Sequence, residues 1–329
     1  MTITATFTDD VRSFTDAIAE FFGQLSQIEL KPLLIGLAFF IAYLSVRSLA
    51  FRNILRAAYP DEWVDTRRIW GAYIAAYGFN NVVPARGGDV IKLFLAKSSI
   101  PNSTYPAVAA AMLVESVFDV VMGVFILGFA FTQGVFPKPP DWATTGTFDL
   151  RLFAEHPRVL LFGLTAFAVI GLVLFAWFSH RLRRFWQRVR QGLAVLRDRD
   201  LYLRTVFGVQ LGAWLLRCTA FWFLLDAFHI GGSVKNVLLV LGVNAVAAAV
   251  PFTPGGAGVQ QAFLVKVFAG AAATSTVAAY SVGQQVAIAA TTFLVGFLAL
   301  VTIFEFRSFR DVIEAGRAHR EAERSHTRG

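Results

Sequence analysis

Gly78–Lys97 reads GFNNVVPARGGDVIKLFLAK. Two asparagines, a proline, a pair of glycines, an arginine, an aspartate and two lysines sit here between apolar runs. Inside a membrane such residues are costly, so they mark a functional position by default. A second stretch, Asn244–Lys266 (NAVAAAVPFTPGGAGVQQAFLVK), has the same layout: an apolar run, prolines, a Gly-Gly pair and a short amphipathic run. Paired interruptions of this kind in the two halves of a chain point to a transport site.

Composition supports a membrane setting. The 329 residues are 56% hydrophobic and only 16% charged. Mean hydropathy is +0.58. These values belong to a polytopic membrane protein. The net charge of +8 resides between apolar segments, which fits cytoplasmic loops and anionic headgroups and argues against nucleic acid as a partner. The single cysteine, Cys218, excludes an intramolecular disulfide. Asp9, Asp10, Asp16 and Glu20 stand where a signal peptide would be basic.

Outward from the opening stretch, residues 1–31 are expected to form an amphipathic interfacial segment, with Phe14, Ile18, Phe21, Phe22, Leu25 and Ile28 on one face. Full spans are expected at 32–51, 105–131, 158–178, 205–229 and 276–304. Residues 69–83 and 87–98 are each too short to cross, as are 237–250 and 257–271. Each pair reads as a re-entrant helical hairpin, about 69–98 and 237–271, within a transmembrane unit of residues 32–304. Arginine bias places the loop 179–204, with its eight arginines, and the tail 305–329, with six, in the cytoplasm. The hairpins then enter from opposite faces. The expected fold is an all-α polytopic membrane protein with inverted-topology repeats, in the cell (inner) membrane.

The chemistry concentrates at the two breaks. Gly87, Gly88 and Asp89 open a half-helix whose N-terminus offers free N–H groups, and Arg86 adds a planar fork suited to phosphate oxygens. Lys92 adds a second cation, and Asn81 precedes the turn. The bland alternative is a hinge with Arg86 paired to Asp89, Glu115 or Asp119. Glu115 and Asp119 share one helical face and are expected either to compensate the cations or to couple protons. Pro254, Gly255, Gly256 and Gly258 form a glycine-rich nest before Gln261. Arg217 stands alone in its span, either lining a cavity for a lipid anion or pairing with Asp226 or an interface group. Gln284 and Gln285 are expected to hydrogen-bond between helices. No cofactor or metal is called for, since the nearby apolar segments offer no histidine ligands.

These residues resemble a known family. Asn81-x-x-Pro84-Ala85-Arg86-Gly87-Gly88-Asp89-x-x-Lys92 is similar to N-x-x-P-x-R-x-G-E-x-x-R; Glu115-x-x-x-Asp119 to E-R-x-x-D; and Pro254-Gly255-Gly256-Ala257-Gly258-x-x-Gln261 to P-G-G-x-G-x-x-E. The pattern is that of the flippase-like membrane domain of lysylphosphatidylglycerol synthases, the multiple peptide resistance factors, over roughly residues 30–305. Asp89, Lys92, Ser116 and Gln261 depart from it, the last two by losing a charge. The resemblance implies a non-enzymatic role: moving an anionic, aminoacylated or polyprenyl-phosphate-linked lipid between leaflets. In the family's two-domain members an aminoacyl-transfer domain follows; with only residues 305–329 after the last expected span, that activity is not expected here. Two rival readings are a scaffold that recruits an envelope-biosynthesis enzyme, and a membrane lipid (pyro)phosphatase. The second is disfavoured because the loops PARGGDV and PGGAGVQ hold no serine or histidine nucleophile. A homo-oligomer is compatible with the many small residues of the spans.

Overall fold

The computed structural model describes Gly23 and residues 27–81, 87–133, 187–248, 259–269 and 272–306. Eight helices carry the fold of this part: α1 Leu30–Ala58, α2 Thr66–Asn80, α3 Gly87–Ser98, α4 Tyr105–Thr132, α5 Arg199–Ala227, α6 Val234–Ala248, α7 Val259–Val267 and α8 Thr274–Ile303. Helices α1, α4, α5 and α8 are long and apolar enough to cross a membrane. Among the described residues there is no strand, only an isolated bridge between Ala269 and Ala272. The chain is an all-α, multi-pass membrane protein. The expected interfacial segment is almost wholly outside the described residues, as are the span 158–178 and the tail beyond Phe306.

Local chemistry sets several boundaries. The first span runs to Ala58 rather than to residue 51. Arg52 and Arg56 are good helix formers, and Tyr59 precedes Pro60, which disfavours a further helical turn. Asp65 caps α2 by accepting a hydrogen bond from Arg67 N at 3.0 Å. Helix α5 begins at Arg199, inside the expected polar loop, and contains a π-helical turn at Leu203–Phe207.

Two seams hold the bundle. Helices α1 and α5 run antiparallel: Glu29 N donates to Ala227 O at 3.1 Å, and Asn53 Nδ2 donates to Thr205 O at 2.8 Å near the other end. Gly36 permits the approach, since a Cβ there would sit 3.0 Å from Leu224 Cγ. In the second seam α2 crosses α8 almost backbone to backbone. A Cβ on Gly78 would meet Thr292 O at 2.6 Å, and one on Gly296 would meet Ala75 Cα at 2.9 Å. Helix α4 lies against α1, α3 and α6, and α7 against α6 and α8.

The short helices α2 and α3 pack side by side. Ala76 and Asn80 of α2 face Gly88 and Asp89 of α3, and α2 starts and α3 finishes at one end of the bundle. Asn102 reaches Glu62 there at 2.8 Å, and Thr104 N donates to Tyr59 Oη at 3.1 Å. The arginine-bearing segment packs across the same end, with Gln191 Nε2 on Ala58 O at 3.0 Å. Helix α6 starts at the opposite end, as does α8 after the turn from α7; the Phe228 and Tyr280 rings meet there at 5.6 Å.

Candidate functional site

Four helices converge on Glu115. It projects from α4 and is 3% exposed. Arg47 of α1 donates from Nε to Glu115 Oε1 at 3.2 Å. Tyr73 of α2 donates its hydroxyl to the same oxygen at 2.5 Å. Lys92 of α3 pairs with Oε2. A buried carboxylate is tolerable only when its lone pairs are engaged, and here both oxygens are. Arg47 also pairs with Asp119 at 2.6 Å and donates to Tyr43 Oη at 3.1 Å. Lys92 Nζ lies 4.1 Å from the ring centres of both Phe51 and Tyr73. Between a carboxylate and two aromatic faces, the ammonium has little room for another ligand.

Arg217 of α5 closes the group differently. Its guanidinium carbon lies 5.8 Å from the rings of both Tyr43 and Phe221. Among the described residues no carboxylate stands within ion-pair distance of it, and its buried Nε has no protein partner. The alternative pairing with Asp226 is not made: that carboxylate accepts from Gly232 N at 2.5 Å in the turn after α5. Two more buried polar groups share the face of Arg217, at helical spacing. They are the amide of Gln210 and the indole N–H of Trp214, both without a protein partner among the described residues.

The flanks of the two breaks meet one helix. Asn81 Nδ2 donates to Thr292 Oγ1 at 3.2 Å, and Gln261 Nε2 donates to Gln285 Oε1 at 2.9 Å. Thr292 and Gln285 lie two turns apart on α8, each within about 5 Å of its middle along the axis. Gly87 and Gly88 open α3 at the end of the first break. A Cβ on Gly88 would sit 2.0 Å from Ala76 O. Asp89 accepts from Asn80 Nδ2 at 2.9 Å, tying the two helices together. Arg86, Pro254, Gly255, Gly256 and Gly258 lie outside the described residues.

The structure therefore brings Lys92, Glu115 and Asp119 together and sets Arg217 on Tyr43, which Arg47 also reaches. Asn81, Asp89 and Gln261 act as ties at the breaks. Arg47, within the expected span 32–51, is not among the residues that the sequence singles out. Its signal was Tyr43 one turn earlier and a helix with no stop before Pro60.

A match to the lysylphosphatidylglycerol synthase TM region covers residues 11–304. The chain belongs to this family. No curated protein and no solved structure matches it. As a member of the lysylphosphatidylglycerol synthase TM family, the chain is a membrane protein linked to lipid handling. The family match takes in every residue of the charged cluster and both breaks.

Proposed function

We propose that this chain moves a lipid with an anionic phosphate headgroup between leaflets, phospholipid and polyprenyl phosphate being the two classes that fit. The carrying observation is where the charge lies. Tyr43 and Arg47, Glu115 and Asp119, and Arg217 fall within about one turn of the middles of α1, α4 and α5. A single charge at that depth costs about 2.5–3.5 kcal/mol on insertion scales, so a cluster there needs a use. To Arg217, which lacks a carboxylate partner among the described residues, we assign the phosphate, with Arg86 of the first break as the second cation that the sequence offers. Glu115 holds Arg47 and Lys92 in position. Gln210 and Trp214, on the same face of α5, carry buried polar groups with no hydrogen-bond partner among the described residues.

The hairpin reading has support in the ends of the helices. The first pair opens toward the arginine-rich end and the second toward the other, as two re-entrant, inverted repeats would. In this reading the arginine-rich end is cytoplasmic and the membrane is the inner one. The test is translocation of a fluorescent phosphatidylglycerol in proteoliposomes. Arg217→Gln is expected to lower the rate about tenfold or more while the protein stays folded. Full translocation by that variant overturns the assignment of Arg217, and no translocation by the wild-type chain overturns the function.

A further inference from the structure

At the arginine-rich end of the α1–α5 seam is a cavity of about 470 Å³. It is lined by the last two turns of α1, by the link that follows and by the start of α5. That is the size of a small-ligand site. Arg52 and Arg56 face it from positions one turn apart. Like charges at that spacing repel, so the pair stands at a cost unless an anion lies between them. Arg52 is held: its Nε donates to Val64 O at 3.1 Å, which leaves the two terminal nitrogens of the fork. Among the described residues neither arginine forms an ion pair with an acid. Glu62, on the cavity wall, accepts from Asn102 at 2.8 Å, and Asp65 caps α2. Asn53 and Thr205 tie α1 to α5 beside the cavity. Trp63, also on the wall, is 79% exposed, as an indole at the level of the headgroups would be.

We infer that this cavity is a second anion site, separate from the deep cluster, that binds a phosphate-bearing ligand through Arg52 and Arg56. Arg52 is five residues beyond Arg47 on α1, about 7.5 Å nearer the end of the helix. The phosphate has two sources, the headgroup of an anionic phospholipid in the adjoining leaflet or a free phosphate compound. The site does not depend on transport: a chain that binds here and moves no lipid still satisfies it.

Native mass spectrometry of the full chain in neutral detergent tests it, with dihexanoylphosphatidylglycerol and, in parallel, inorganic phosphate as probes. The double variant Arg52→Gln/Arg56→Gln is expected to weaken retention of one equivalent of probe about tenfold. Arg68→Gln, which removes an exposed arginine outside the cavity, is expected to leave retention unchanged. Loss confined to phosphatidylglycerol identifies the leaflet as the source; equal competition by inorganic phosphate identifies a free phosphate. If the double variant retains both probes as the wild type does, or if Arg68→Gln weakens them as much, the site is overturned. A melting temperature for each variant within a few degrees of wild type guards against loss by unfolding. Should the double variant unfold, Arg56→Gln alone, at an exposed position, carries the same comparison.

Discussion

Glu115 is the residue on which the deep cluster depends, because it is the shared acceptor for Arg47, Tyr73 and Lys92. Replacing it with glutamine leaves buried Lys92 without an ion-pair partner among the described residues, and Arg47 with Asp119 alone. The expected cost is about 3–5 kcal/mol, as for a buried pair broken from one side. Asp119 is 48% exposed and shares only Arg47, so Asp119→Asn is expected to cost about 1 kcal/mol or less. Unfolding midpoints of the two variants in the same detergent check the ranking; equal losses would mean that the carboxylates are interchangeable. At this scale the sequence was partly legible. Charge at a break in an apolar run announced Lys92, and the four-residue spacing announced the two acids. The choice of partner was not legible: which cation reaches Glu115 depends on the rotation of α1 about its axis, set by packing against α5 far along the chain.

Among the elements, the α2–α3 pair is the one most exposed to a small change. Gly88 fits where the Ala76 carbonyl would overlap any Cβ, at 2.0 Å, and a backbone atom has no rotamer with which to yield. Gly88→Ala is expected to spread the pair, break the Asn80–Asp89 hydrogen bond and lower the yield of folded protein severalfold. Gly123→Ala on α4, where nothing lies within 4 Å, is expected to be neutral. Size-exclusion profiles of the two purified variants decide this; matching profiles would remove Gly88 from the hinge. The α3 boundary, Gly87–Ser98, was readable from the Gly-Gly start. The end of α1 lies beyond the expected residue 51, because loss of hydrophobicity does not by itself stop a helix and Arg52 and Arg56 are good helix formers.

For the whole molecule, the arrangement of ends makes a prediction about sides. Trp63 sits beside the segment 187–204 at one end of the bundle. With Cys218 replaced by serine, a Trp63→Cys chain is expected to react with a membrane-impermeant maleimide only when the cytoplasmic face is open to it. Labelling of intact cells would reverse the orientation. Overall class was plain from composition, and the four spans from their length. The packing of α2 on α8 was invisible, because nothing local tells Gly78 that its neighbour is Thr292. That neighbour has a price in time. The hydrogen bond between Asn81 and Thr292 spans 211 residues. At ordinary rates of synthesis the first hairpin therefore exists for about 10–40 s before the helix that clasps it has been made. During that interval its glycine face and its terminal asparagine must be sheltered by the insertion machinery or by lipid. The early hairpin thus waits, during synthesis, for a partner made late.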